Sequence, residues 1–421
     1  MVLDGTGGPP TPHARVVVDD GLIASVGAAG DPIEGGTVVE GRGRWLLPGL
    51  WDTHIHYVLS AGGCVWPEEF SHQQLLSNLQ AYLRNGITSV VSVGDPKDLV
   101  LAARASERDG RLRAPRIVAA GPTLTAPGGH PVATILHGEP GRFSNLAIEI
   151  SDPADGRRAV RQLVADDGVD LLKVIYSTIP GNVPRLGRDT LDAVIDEAHV
   201  LRRRIVAHVA TPAEAMDCII GGVDGLEHMV IAAPQALEPV FSAAADHGVF
   251  WTPTLSLFDK LAHDGDQRYV EGYRPAGSVT RTVLDSLRDP AAWWRKPEPD
   301  VPAPPWSRTV ELTGQAHRSG VQLPLGTDSG NPAVFHGLAA HRELELLVRA
   351  GLSPLQALTA ATAVAAAKVG AEDRLGTVQP GKEADLVVLG ASPIDDIRNT
   401  RRVELVVKRG ELLDAAELAV V

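Results

Sequence analysis

Two cysteines, Cys64 and Cys218, in a chain of 421 residues cannot make a disulfide framework, so the chain reads as a reduced, cytoplasmic protein. No segment reaches the roughly 18 apolar residues of a membrane span. The opening Met1-Val2-Leu3-Asp4-Gly5-Thr6-Gly7-Gly8 lacks the basic and apolar regions of a signal peptide and reads as the tail of a strand running into a turn. Basic runs are missing as well. The formal charge is −13, and the densest cationic cluster, Arg202-Arg203-Arg204, has the look of a solvated helix end before an apolar run. Nucleic acid, which asks for a basic patch or stripe, is therefore not an expected partner, and neither is a membrane. Hydrophobic residues make up 44% and charged residues 22%, an ordinary globular composition that excludes disorder and fibrous structure.

What is present falls into two textures. Short β-rich runs lie at 15–18 and 22–26, separated by the hairpin signal Asp19-Asp20-Gly21, and again at 385–389 and 403–408. They predict one small β-sandwich domain built from both chain ends, residues 1–46 and 371–421. Between them, over 47–370, apolar strand candidates recur at 45–51, 87–93, 116–120, 171–175, 205–209, 225–228, 249–255 and 323–326. Amphipathic stretches such as 72–84, 155–165 and 192–203 separate them. Eight strands alternating with helices predict an α/β fold, a parallel sheet closed into a (β/α)8 barrel. The segment 259–309 is a long insertion after the seventh strand, readable as a lid or as a helical excursion on the barrel's flank. The Ala-rich stretch 357–367 predicts a tightly packed helix.

Metal-binding residue types sit at the ends of these strands. His54 and His56, spaced i, i+2, share one strand face with Asp52. His208 ends the fifth candidate strand, His228 ends the sixth, and Asp328 follows the eighth. A lone buried histidine is usually a hydrogen-bonded core residue, and a strand-end aspartate is often a helix cap. Five such groups at one mouth of a barrel are better explained together, as ligands of a divalent ion, and imidazole nitrogens suit zinc. Lys173 lies inside Leu171-Leu172-Lys173-Val174-Ile175, where an unpaired ammonium is expensive. It is either bridged to a site carboxylate, with Asp328 the candidate, or it is a CO2-derived carbamate spanning two cations.

These residues carry a resemblance. Leu47-Pro48-Gly49-Leu50-Trp51-Asp52-Thr53-His54-Ile55-His56 resembles the opening signature of the amidohydrolase superfamily. Ala207-His208-Val209, Gly225-Leu226-Glu227-His228, Leu325-Gly326-Thr327-Asp328 and the stretch from Leu375-Gly376 to Pro380-Gly381-Lys382-Glu383-Ala384-Asp385-Leu386-Val387 are similar to its later ones. The likeness spans essentially the whole chain. Within the superfamily it is greatest to the branch of the Xaa-Pro dipeptidases (prolidase-like) and imidazolonepropionase-related proteins. That resemblance implies a carboxylated lysine at Lys173 and two divalent ions, one on His54, His56 and Asp328, the other on His208 and His228. Gly128-Gly129-His130 is similar to a substrate-facing segment of the prolidase-like proteins, although Pro131 stands where a glycine is usual.

The implied reaction is hydrolysis of an amide-type bond in a small-molecule substrate, a dipeptide or N-acyl amino acid, by a hydroxide shared between the ions. Asp328 is then the proton shuttle, and His130 and Tyr176 are candidates to contact substrate. The loop 57–70, with Trp66, is a candidate to shape the pocket, and homo-oligomers are common among relatives. Two other readings stay open: a one-metal hydrolase or deaminase of a heterocycle, and a non-catalytic binding or assembly protein on the same fold.

Overall fold

The computed structural model describes residues 1–28, 36–57, 72–136, 145–263, 306–415 and 418. Cys64, Trp66, the loop 58–70 and most of the 259–309 insertion lie outside the described residues, and so does any lid.

The chain starts and ends in antiparallel sheet. Strands β1 (Ala14–Asp19) and β2 (Leu22–Ala28) form a hairpin. Its two turn residues, Asp20 (φ 45°) and Gly21 (φ 75°), both adopt the positive φ that a right-twisted two-residue turn requires. A four-stranded sheet combines β3 (Trp45–Pro48) with β13 (Leu386–Leu389), β14 (Val403–Lys408) and β15 (Glu411–Asp414) in the order β15-β14-β13-β3. Ile23 of the hairpin packs with Leu386 and Val407, so residues distant in sequence share this small core.

The apolar run 45–51, expected to be one barrel strand, is divided. Its first half joins the terminal sheet, and the barrel begins at β4 (Leu50–Ile55). Gly49 is the switch point: a Cβ there would lie 2.0 Å from Thr88 Oγ1, so no larger residue lets the chain pass between sheets.

Parallel strands follow: β5 (Ile87–Ser92), β6 (Arg116–Ala119), β7 (Thr123–Thr125), β8 (Ala147–Glu149), β9 (Leu172–Ile175), β10 (Ile205–His208), β11 (Gly225–Glu227) and β12 (Phe250–Thr252). Ladders link β4-β5-β6 and β8-β7-β9-β10-β11-β12. Two hydrogen-bonded junctions close them into a ring. Asp170 N donates to Ala119 O at 2.9 Å between β6 and the entry to β9. On the other side Trp251 N donates to Gln322 O, and Thr53 N to Leu325 O, each at 2.9 Å. Residues 322–329 thus serve as the eighth strand, although only the bridge between Ile55 and Ser329 has regular strand geometry.

Helices wrap the ring, among them Lys97–Arg108, Arg188–Val200, Pro212–Gly221, Pro234–Asp246 and Leu338–Arg349. Burial on both faces explains why these strands read as unbroken apolar runs. The Ala-rich stretch forms two helices, Pro354–Ala360 and Ala363–Lys368, where one was expected. The seventh strand is shorter than predicted, because Leu255 already opens the helix Leu255–Ala262.

Candidate metal centre

The carboxyl ends of the barrel strands bring His54, His56, Lys173, His208, His228 and Asp328 together. His54 and His56 arrive from β4, and Asp328 from the irregular eighth strand, whose backbone is tied to β4 by Asp328 N donating to His54 O at 2.8 Å. The three side chains place one ligand atom each within 4.8 Å of one another. Asp328 Oδ1 lies 3.3 Å from His56 Nε2 and 3.5 Å from His54 Nε2. The His228 ring is 4.7 Å from that of His54 and 4.6 Å from that of His208. Asp328 (φ 61°) and His228 (φ 71°) both hold left-handed backbone, a conformation costing about 1 kcal/mol or more for a side-chain-bearing residue and characteristic of functional positions.

Each histidine is oriented by the nitrogen it turns away from the centre. His54 Nδ1 donates to Glu227 Oε2 at 2.6 Å, His56 Nδ1 to the Gly94 carbonyl at 2.8 Å, and His208 Nε2 to the Ile179 carbonyl at 3.0 Å. Carboxylates and carbonyls only accept, so these contacts dictate the tautomers. The lone pairs left are on His54 Nε2, His56 Nε2 and His208 Nδ1. His228 Nδ1 pairs with Thr254 Oγ1 at 3.0 Å.

The electrostatics favour neutral imidazoles at His54, His208 and His228 and an ionised aspartate, whereas His56 is raised, the lowering effect of burial being outweighed by its contact with Asp328. Burial, then the ammonium of Lys173, pushes His54 down to about 4. Burial and neighbouring cationic groups also hold His208 and His228 well below the usual histidine range. Asp328 is pulled down to about 2 by His54, His56 and Lys173 against the opposing effect of burial. Lys173 is 2% exposed, and burial lowers it to about 8. The bridge to a site carboxylate that would have been its ordinary explanation is absent among the described residues, where Nζ has no hydrogen-bond partner. His54 Nε2 and Asp328 Oδ1 are orphaned in the same way.

The two candidate substrate contacts separate. The His130 ring lies 5.4 Å from that of His208, with Nδ1 paired to Thr134 Oγ1. Tyr176 is engaged elsewhere: its hydroxyl donates to Asp217 Oδ2 at 3.0 Å on the helix Pro212–Gly221, and the Arg185 guanidinium lies 4.3 Å over its ring. Burial and then the Asp217 contact push Tyr176 up to about 12.

Three neighbours of the ligands had gone unremarked or unused in the sequence. Asp52, on the face shared by His54 and His56, accepts from Thr327 N at 3.0 Å and Thr327 Oγ1 at 2.6 Å, pinning the eighth strand to the first. Burial raises it to about 7. Glu227 is wholly buried, and its second oxygen, Oε1, accepts from Lys368 Nζ at 2.7 Å. Lys368 in turn donates to Thr252 Oγ1 at 2.6 Å and to Thr53 O at 3.1 Å. Glu227 could have been noticed as a carboxylate inside a strand. A lysine closing an Ala-rich helix carries no such signal.

Several known proteins are similar to this chain in sequence or fold. The sequence model of the amidohydrolase family matches residues 45–413. Ochratoxinase from Aspergillus niger is 27% identical over 425 aligned positions, covering 93% of this chain and 80% of the enzyme. A Xaa-Pro dipeptidase crystallised with methionine in its active site superposes with a TM-score of 0.78, at 22% identity and 98% coverage of each chain. A prolidase complexed with N-methylphosphonate-L-proline superposes with a TM-score of 0.76, at 25% identity, covering 98% of this chain and 97% of that one.

Proposed function

The chain belongs to the amidohydrolase family and is a hydrolase, and from that premise we propose that it cleaves an amide-type C–N bond in a dipeptide or N-acyl amino acid, using two divalent ions, zinc by donor type. His54, His56 and Asp328 would hold one ion, His208 and His228 the other, and Lys173, carboxylated by CO2, would bridge them. The observation carrying this reading is the set of three buried polar atoms without protein partners, His54 Nε2, Lys173 Nζ and Asp328 Oδ1, contributed by residues of one cluster. Buried polar groups are ordinarily satisfied, and nothing among the described residues hydrogen-bonds to these. The donor set fits: imidazoles kept neutral at His54, His208 and His228, an ionised carboxylate, and an amine whose lowered pKa makes it available to CO2 near neutrality.

When bound, the ions supply Lewis acidity, lowering the pKa of water and polarising the scissile carbonyl. The remaining work falls to the chain. Asp328 stays ionised at neutral pH, so it can take a proton from water and return it to the leaving amine. His130, kept neutral by burial, has its ring 5.4 Å from that of His208, where an N–H could bind a substrate oxygen. Tyr176, its hydroxyl committed to Asp217, has no place in this mechanism. The small-substrate class rests on the ochratoxinase and prolidase likenesses.

The trio His54, His56 and Asp328 would by itself serve a single ion, so stoichiometry decides between the two-metal and one-metal readings. The wild-type protein should carry two ions per chain by elemental analysis, and Lys173→Ala fewer, with turnover partly rescued by short carboxylic acids. Full metal loading and activity in unrescued Lys173→Ala would remove the two-ion reading. Turnover of dipeptides or N-acyl amino acids, measured beside lactones, would locate the bond class.

A further inference from the structure

We propose that Lys368 and Glu227 form a positioning relay that fixes His54 in the tautomer whose Nε2 faces the metal centre. The inference rests on the metal-binding reading of the preceding subsection. Lys368 leaves the helix Ala363–Lys368, and its ammonium ends inside the barrel, where it meets three strands at once: Thr53 on β4, Glu227 on β11 and Thr252 on β12. Its side chain is 1% exposed, and that of Glu227 is fully buried.

A buried ion pair adds little net stability over a well-packed apolar pair, so its consequence is sought in geometry. Lys368 claims Glu227 Oε1 at 2.7 Å, which leaves Oε2 directed at His54 Nδ1, 2.6 Å away. With the carboxylate pinned at one oxygen, the other can only accept. The proton of His54 is then held on Nδ1, and the lone pair sits on Nε2, the nitrogen that has no protein partner. The eighth strand runs close beside His54, for a Cβ on Gly326 would come within 2.9 Å of His54 Cβ. Lys368 makes no contact with the metal-facing atoms of the ligands. It reaches His54 through Glu227 and through the Thr53 carbonyl that precedes His54 in the chain, and this makes it a positioning residue.

The test compares Glu227→Gln, Lys368→Met and the double variant as full-length protein, zinc-loaded for the affinity and metal-free for the tautomer of His54. Zinc retention is read by competition with a chromophoric chelator, and the protonated nitrogen of His54 by imidazole 15N shifts. Loss of a carboxylate partner behind a metal-bound histidine weakens binding roughly 10–100-fold, which is the expected fall for Glu227→Gln. Lys368→Met should weaken zinc retention in the parent and add clearly less once Glu227 is glutamine, because the contact with the carboxylate carries the larger part of its effect. In both variants the 15N shifts should report mixed tautomers. Should Lys368→Met fail to fold, with the Glu227 carboxylate stranded, the double variant, which removes both charges, and Glu227→Gln carry the test. Zinc affinity within about twofold of wild type in the double variant, with His54 still a single tautomer, would overturn the relay while leaving the metal reading intact. A wild-type protein that binds no zinc would overturn both.

Discussion

In the metal-free protein Lys173 is a free amine amid His54, His130, His208 and His228, and the consequence is measurable without any substrate. Burial lowers its pKa from 10.5 to about 8, so between those values the unfolded chain binds more protons than the folded one. Stability of the metal-free protein therefore rises with pH across that window, and the full penalty, roughly 3 kcal/mol, applies below it. Calorimetry of chelator-treated protein should show wild type gaining on Lys173→Met from pH 8 toward 10.5. A constant difference between the two profiles would rule out a buried, titrating amine. At this scale the ligand candidates were readable because each one interrupts an apolar strand where a polar side chain needs a reason. Glu227 carried the same signal but stands beside His228, which drew the reading, and Lys368 carried none, because it closes a helix, where a cation is ordinary.

Single elements hold the ligands in place through close backbone approaches. Gly330 (φ 108°) passes so near β4 that a Cβ would lie 2.0 Å from the His56 carbonyl oxygen. Gly330→Ala must push the eighth strand away from the first, and Asp328 with it. We expect it to lose metal by elemental analysis while keeping its far-UV circular dichroism; unchanged loading would show that the contact yields freely. A second element depends on one carboxylate. Glu343, buried on the helix Leu338–Arg349, accepts from Leu255 N at 2.8 Å and Ser256 N at 2.6 Å at the start of the helix Leu255–Ala262. Glu343→Ala strands both donors, at a loss of about 1–3 kcal/mol for each buried group left unpaired. Urea titration should show a lowered midpoint, and a midpoint equal to wild type would mean that another acceptor replaces it. Strand order was legible from the alternation of apolar runs and amphipathic stretches, but strand boundaries were not. The run 45–51 is continuous in hydrophobicity, and only the steric demand at Gly49 divides it between two sheets. The third strand is likewise interrupted between β6 and β7, by backbone pairing that no residue type announces.

Across the whole molecule, the terminal sheet and the barrel are stitched by one charge network. Arg116 on β6 donates to Glu383 at 2.5 Å and to Asp385 at 3.3 Å. Lys408 on β14 reaches the same Asp385 at 3.0 Å, while Arg409 donates through its backbone to Asp385 and through its guanidinium to Glu107 on the helix Lys97–Arg108. Asp385 is 4% exposed by side chain and Arg116 13%, so salt screens these contacts poorly. The resemblance to a family pattern placed Glu383 and Asp385 in a return to the terminal sheet, but their partner lies 267 residues away from Glu383, beyond the reach of any local signal. Breaking a buried pair leaves an uncompensated charge, which costs about 3–5 kcal/mol. Arg116→Met should accordingly lower the melting temperature clearly, and by a similar amount in low and high salt. Arg398→Ala, which removes an exposed contact with Asp396 on the same terminal segment, should leave it unchanged. If the network also couples the two parts, wild type melts in one calorimetric transition and Arg116→Met in two, the terminal sheet first. A variant that kept both the wild-type midpoint and the single transition would show that the shared chain at Gly49 and the packing around β3 hold sheet and barrel together without these charges.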